Sequence, residues 1–320
     1  VQSEGKLFNK DLNIPFQPVF RIGSTYQPAE YTFLRASYGQ GYRFPSIAEK
    51  YISTFVGGLN IFPNNNIQPE YGWSAEVGLK QGFKINNFKG YIDLSGFVTR
   101  YQDMIEFMFG FYNTDGSDLT LLELYQLIGG DLNQLTNYLG ARSTNIQNAN
   151  IPGMELSIVG QGNFTENLSF TTLAGYTFIH PTPIDADSAY LTTFSDPDIE
   201  NPENTILKYR NRHMLKIDFQ LDYKKWAIGL STRYTSLMEN VDDVFMQPIV
   251  QNTEILPGYG DYRNARMTGD LVFDCRLAYN FNNKYKLSIL ANNLLNKEYS
   301  NRPGNVMPPR TLLWQFSANF

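Results

Sequence analysis

Any catalytic or metal centre in this chain would have to be assembled from His180, His213, the single cysteine Cys275 and scattered carboxylates. A hydrolase of protease or phospholipase type needs a nucleophile or an activated water beside a placed base. His180 precedes Pro181 in a loop-like stretch, His213 stands at the top of an alternating segment, and no Ser or Asp constellation accompanies either. Two histidines so far apart do not make a metal-ligand set, and Cys275 has no second cysteine to pair with. These residue types predict a protein that binds without covalent chemistry: not an enzyme, with no metal and no cofactor.

The elements that must position the remaining polar side chains show as alternation of period two. Leu215, Ile217, Phe219, Leu221 and Tyr223 interleave with Lys216, Asp218, Gln220 and Asp222; Trp73, Ala75, Val77 and Leu79 interleave with Ser74, Glu76, Gly78 and Lys80. Hydrophobic residues at 42% and charged residues at 18% exclude a disordered chain, and 15% aromatics suit a barrel with aromatic girdles. No apolar run reaches the roughly 18 to 20 residues of a membrane helix, so only a closed barrel could cross a bilayer. A net charge of -5 with no Lys/Arg cluster argues against a nucleic-acid partner. Val1 to Lys10 lacks the apolar core of a secretory signal, as a mature surface protein or a fragment would.

Strands are expected near 17–26, 31–39, 71–83, 89–105, 147–161, 167–179, up to 223, from 226, and near 267–281, 285–298 and 309–320. Short turns join them in pairs at Gln27-Pro28-Ala29-Glu30, Asn86-Asn87, Gly162-Asn163, Lys224-Lys225 and Asn282-Asn283, and long loops separate the pairs. The pattern predicts an all-β fold: a transmembrane antiparallel β-barrel with long extracellular loops and short periplasmic turns. A soluble sandwich or propeller also alternates, but long loops on one side only are unexpected of it. Eleven strands pose a parity problem, because the first and last would pair in parallel on closure. The chain is therefore expected to be part of a barrel, with residues 1–15 ending an extracellular loop and 16–320 forming the wall. Cys275, in phase with Leu271, Phe273, Leu277 and Tyr279, belongs to the lipid-facing side.

Three segments carry a family resemblance. The first is Leu34-Arg-Ala-Ser-Tyr-Gly-Gln-Gly-Tyr-Arg-Phe-Pro45 with Ile47-Ala-Glu-Lys-Tyr51 after it; the second is Asn65-Asn66-Ile-Gln-Pro-Glu70 running into Trp73 to Lys80. The third is Leu287-Ser-Ile-Leu-Ala-Asn-Asn-Leu-Leu-Asn-Lys-Glu-Tyr299, then Pro308-Pro309-Arg310-Thr311 and a closing strand to Phe320. Together they resemble the second half, strands 12 to 22, of a TonB-dependent outer-membrane receptor, whose 22-stranded barrel holds a plug. The closing box is similar to the stand-alone type of receptor rather than the glycan importer with a lipoprotein lid.

The resemblance implies active import of a scarce nutrient (siderophore-iron, cobalamin, a glycan or a peptide) across the outer membrane of a Gram-negative bacterium; a passive porin or a scaffold subunit is the alternative. Implied partners are the plug domain and N-terminal strands, TonB-ExbB-ExbD, the barrel-assembly machinery reading Phe320, outer-membrane lipid and, as a further class, a surface lipoprotein. Arg21, Arg35, Glu76, Lys80, Asp218, Arg233 and Arg276 would face a plug from the lumen wall. Glu70 and Glu76 read either as binding carboxylates or as a strand cap and a partner of a lumen arginine. Tyr42, Arg43, Tyr112, Tyr125, Tyr190, Tyr259 and Tyr262 are the outer candidates for ligand contact, with Phe194 beside them. In the 113–141 loop, Leu119, Leu122, Tyr125, Leu132, Leu135 and Tyr138 recur at near-helical spacing, which predicts two short helices that either grip a ligand or pack on neighbouring loops.

Overall fold

The computed structural model describes residues 3–7, 10–14, 17–56, 59–146, 148–184, 206–246 and 254–319. A hairpin of β1 (Ser3–Leu7) and β2 (Lys10–Ile14) stands where only a loop end was expected. The wall follows as β3 (Arg21–Ala29), β4 (Thr32–Arg43), β7 (Glu70–Ile85), β8 (Phe88–Gln102), β11 (Asn148–Thr165) and β12 (Leu168–Ile179). It continues with β14 (His213–Tyr223), β15 (Trp226–Thr235), β16 (Asp270–Asn280), β17 (Tyr285–Asn292) and β18 (Thr311–Ala318). These eleven strands pair consecutively and antiparallel in one sheet, with β13 (Thr182–Ile184) added against β11. The sheet is open, and β3 and β18 are its edges.

The short turns hold, with two displacements. Asn86 and Lys224 take φ of 53° in two-residue turns at the expected places. Gln27 and Pro28 instead lie in an irregularity of β3 between Tyr26 and Ala29, and the turn falls at Glu30 and Tyr31; Pro28 has no N–H to give a ladder, which suits it to a bulge. Gly162-Asn163 is not a turn: Gly162 pairs with Phe170 and Asn163 with Ser169, and the reversal comes at Glu166 and Asn167.

Two strands are also shorter than their apolar patterns suggested. The fourth stops at Gln102, because Asp103 is left-handed at φ 53°, and the chain resumes as β9 (Met104–Phe111) in a different sheet. The tenth stops at Asn292, because Asn293 and Asn296 take φ of 50° and 52°.

Cross-strand register divides the wall into two faces. Ile22, Val77 and Trp314 lie on the apolar face and are 60%, 65% and 70% exposed, as side chains meant for a non-aqueous neighbour must be. Cys275 is on that face, opposite Leu230 and Ala291. The other face is polar and carries Arg21, Arg35, Glu76, Lys80, Asp218, Arg233 and Arg276, all in phase across the ladder.

The long connections build a layer of their own. The first contains α1 (Ile47–Tyr51), β5 (Thr54–Val56) and β6 (Leu59–Phe62); the second contains β9, α2 (Leu121–Leu127), a 3-10 turn (Leu132–Asn137) and β10 (Leu139–Ile146). These strands form a four-stranded sheet in the order β5-β6-β10-β9, with β6 and β10 parallel. A later connection holds α3 (Tyr259–Ala265). Phe109, Ala141, Val244 and Phe245 make a buried cluster that joins the second connection to the one after β15. The two expected helices of the second connection are present, but Leu124 and Ile128 are the buried pair, whereas Leu122, Tyr125 and Leu132 are exposed. A helix of this length buries one i,i+4 pair, and the pair lies on the opposite side from the expected stripe.

Candidate functional site

The polar face of the wall pairs charges between neighbouring strands. Arg35 donates to Glu76 at 2.8 Å and to Asp93 at 2.6 Å, bridging β4, β7 and β8. Arg276 grips both oxygens of Asp218 at 2.9 and 3.0 Å, and its Nη1 donates to Ser231 Oγ at 3.1 Å. Arg233 pairs with Asp274 at 3.0 Å, and Lys80 lies 3.8 Å from the centre of the Tyr91 ring. The stem of Arg21 rests beside Gly39. Glu76 is thus the partner of a wall arginine rather than a free binding carboxylate.

Arg35 and Arg276 each lie over a glycine of the adjacent strand. Arg35 is opposite Gly78 and Arg276 opposite Gly229. A Cβ at Gly78 would come within 2.7 Å of Arg35 Cζ, and one at Gly229 within 2.7 Å of Arg276 Nε. The glycines provide the space in which each guanidinium reaches two acceptors.

At the loop end of β4, Arg43 holds Glu70 through Nε at 2.8 Å and Glu49 through Nη1 at 2.9 Å. Glu49 also accepts from Ser46 N at 2.6 Å within the capping box of α1. Burial pushes the Glu49 carboxyl up, but the Ser46 N–H and Arg43 outweigh it and hold the group below the usual glutamate range. Glu70 Oε2 accepts the Ile105 N–H at 2.9 Å. One carboxylate therefore ties the neck of the first long connection to the start of the second. Glu106, next to Ile105, pairs with Arg210 of the third connection. Burial raises Glu106 above the usual range despite that partner, and Glu70 nearby adds to the rise.

The aromatic candidates separate sharply. Tyr112 is 2% exposed, donates to the Met108 carbonyl at 3.1 Å and carries Arg142 4.5 Å above its ring; burial pushes its hydroxyl up to about 12. Tyr42 projects from the apolar face, edge-on to Phe44 and Tyr71 at 4.6 and 4.7 Å. Tyr125 is 63% exposed on α2. Tyr259 packs against the buried loop cluster. Tyr262 donates to Asp270 at 3.0 Å and accepts from Ser300 N at 2.9 Å, and burial pushes it up to about 12. Tyr259, Tyr262 and Tyr299 line a cavity of about 220 Å³ between α3 and the last connection. Tyr190, Phe194 and Phe320 lie outside the described residues.

Sequence reasoning missed the segment that locks the outer layer. Lys208 and Tyr209 both engage Asp242, which is 1% exposed; Arg210 engages Glu106; Arg212 pairs with Glu239 at 3.1 Å. Tyr209 is left-handed at φ 60°, and its N–H is held by Asn240 O at 2.9 Å. The visible signal was three basic residues within Lys208 to Arg212, too short a run to separate from a solvated face. His213 shares a hydrogen bond with Tyr176 at 2.8 Å.

A wall with one apolar face, one ion-paired face, short turns at one end and a built loop layer at the other defines an outer-membrane β-barrel. Residues 8–294 match the TonB dependent receptor-like β-barrel family, and the chain belongs to that family. It is thus part of an outer-membrane receptor of a Gram-negative bacterium, in a family of transport receptors.

The chain is 26% identical over 237 residues to the hemoglobin-haptoglobin-binding protein A of Haemophilus influenzae, covering 67% of this chain and 22% of that protein. A probable hemoglobin and hemoglobin-haptoglobin-binding protein 4 from the same species is 24% identical over 150 residues, 47% of this chain and 14% of that one. This chain spans about a fifth of the length of the first of these relatives. Its fold is shared with the ferric-catecholate import receptor Fiu of E. coli (TM-score 0.58, 17% identity, 97% of this chain and 36% of that one). It is shared too with the hemophore receptor HasR of Serratia marcescens, solved with its hemophore HasA and heme (TM-score 0.57, 15% identity, 97% and 41%).

Proposed function

We propose that this chain is the C-terminal half of a 22-stranded receptor barrel that imports a scarce nutrient by TonB-coupled active transport. The observation that carries the reading is the eleven-strand antiparallel wall whose edges, β3 and β18, have no further strand beside them among the described residues, in a chain whose residues 8–294 match the receptor family. An odd antiparallel set needs an odd complement to close without an edge in lipid. A plug held against the polar face and the TonB complex acting through it complete the mechanism. Charge pairs such as Arg276 with Asp218 would then present a settled surface along which a plug can shift without leaving buried charges unpaired. Iron sources come first among the substrate classes, because the sequence relatives are named for haemoglobin binding.

The test uses the full-length receptor in a deletion strain grown on haem, haemoglobin, ferric siderophores, cobalamin or glycans as the limiting nutrient. Growth on one source that requires both the receptor and TonB supports import. Receptor-dependent growth that survives loss of TonB identifies a passive pore instead.

A further inference from the structure

The lipid-facing side of the wall carries a hollow that neither the lumen ion pairs nor the loop layer uses. Tyr38, Ala75 and Val98 form an outward cross-strand row over β4, β7 and β8, and Ala36, Val77 and Gly96 form the next. Both rows line a groove of about 670 Å³. The row between them, Ser37, Glu76 and Phe97, points to the lumen and passes beneath it as the floor. The lumen-facing rows on either side of that floor, through Ser74 and through Gly78, line none of the groove, so it opens toward lipid. At Gly96 a Cβ would meet no atom within 4 Å. The hollow is therefore space that a side chain could have filled.

A second, independent feature stands just above the groove. Arg100 follows Val98 by two residues on the same face of β8, about 7 Å nearer the long connections. Its cross-strand neighbours are Trp73 and Asn150, with Gln40 beyond Trp73. The next row up is Tyr42, Tyr71 and Gln102, the two tyrosines packed edge-on at 4.7 Å. These aromatics mark the outer boundary of the apolar band. None of the six neighbours carries a carboxylate, and Arg100 Nε is buried with no hydrogen-bond partner among the described residues. A cation held on the lipid side at that boundary calls for an anion supplied from outside the wall.

We propose that the groove and Arg100 together hold one phosphorylated lipid of the outer leaflet, of the lipid A type. An acyl chain lies over Ala36, Val77 and Gly96, and a phosphate accepts from the Arg100 guanidinium at the aromatic boundary. The two features select this occupant jointly. An apolar segment of another protein would fill the groove and leave the cation unmatched; free phosphate would match the cation and leave the groove empty. The site follows from the outer-membrane wall alone and is independent of import.

The test titrates the full-length receptor in detergent with diphosphorylated lipid A, with the same lipid stripped of its phosphates, and with inorganic phosphate, and counts bound molecules by native mass spectrometry. Wild-type receptor should bind the phosphorylated lipid about tenfold more tightly than the dephosphorylated one, the worth of a charge-assisted contact. Arg100→Gln should abolish that preference and leave the dephosphorylated lipid bound as before. Gly96→Leu should weaken both lipids, because its side chain occupies the groove. Equal binding of the two lipids by the wild type overturns the proposal, as does an Arg100→Gln variant that keeps the preference. Inorganic phosphate bound as tightly as the phosphorylated lipid, or a Gly96→Leu variant that binds both lipids normally, overturns it too. Heat-modifiable gel mobility checks that each variant assembles; if Arg100→Gln does not, Gly96→Leu and the wild-type preference decide.

Discussion

Arg276 occupies the space that a side chain on Gly229 would need, with Nε 2.7 Å from where a Cβ would stand. The arginine is therefore positioned by the absence of a neighbour as much as by its carboxylate. Gly229→Ala should leave the barrel folded, because the atom displaced is the end of a flexible side chain, but should break the grip on Asp218. The expected loss is about 1 kcal/mol for a pair this exposed. Arg276→Gln should cost a similar amount, and the double variant little more than either. Chemical-denaturant midpoints of the four proteins in detergent give the cycle; additive losses would show that the glycine and the arginine act separately.

Arg43 joins Glu49 and Glu70, and Glu70 in turn caps the Ile105 N–H. Arg43→Gln should loosen the first long connection while leaving the Ile105 bond. Glu70→Ala should loosen both connections, costing about 1 to 3 kcal/mol locally, mostly because the Ile105 amide loses its acceptor while the exposed Arg43 pair adds little. Hydrogen exchange resolves the two cases. In Arg43→Gln protection falls over 46–51 alone, and in Glu70→Ala it falls at Ile105 as well.

How far the chain could be read in advance follows from what each feature depends on. The wall was legible because alternation is a local property: the eleven strands, the Lys224-Lys225 turn and the phase of Glu76, Asp218 and Cys275 need only a period of two. Gly162-Asn163 misled because a turn-forming pair sat inside a strand whose partner, β12, keeps Asn163 opposite Ser169. The outer layer was illegible for a different reason. Asp242 meets Lys208 and Tyr209 from a separate connection, and Tyr112 is buried by Phe62 and Arg142 brought from far along the chain. Contacts of that kind leave no spacing in the sequence.

Glu106 predicts a pH dependence of the outer layer. Burial holds its folded-state pKa above the ordinary value of 4.5. Its contribution to stability is then fully present below about pH 4.5 and is lost as pH rises through the folded value. Relative to Glu106→Gln, the wild-type loops should become progressively easier to digest as pH rises from that point toward neutrality. Limited proteolysis of both proteins across this range tests the slope; a difference that widens in the opposite direction would reject it.

Tyr112 and Tyr125 should respond oppositely to substitution. Tyr112→Ala removes a buried ring and should destabilise the loop layer by about 3 to 5 kcal/mol, whereas Tyr125→Ala should change stability by less than about 0.5 kcal/mol. A loss of ligand affinity in Tyr125→Ala at unchanged melting temperature would mark α2 as part of the binding surface. Loss of affinity in Tyr112→Ala accompanied by a lowered melting temperature carries no such meaning.

Asn293 explains why the strand before the closing box ends where it does. It is 3% exposed and left-handed at φ 50°. Its N–H donates to Asp274 at 2.7 Å, its amide nitrogen donates to the carbonyls of Lys297 at 2.7 Å and Pro308 at 3.2 Å, and its amide oxygen accepts from Lys297 N at 2.8 Å. Asn293→Gly keeps the backbone region but removes the side-chain bonds, at about 1 to 3 kcal/mol for the groups left buried and unpaired. Asn293→Ala loses the same bonds and adds the cost of a left-handed non-glycine residue, about 1 to 2 kcal/mol more. If the two variants are equally stable in detergent, the left-handed backbone carries no cost there. If Ala is the weaker, the asparagine is required both as the residue that turns the chain and as the one that binds the turn together.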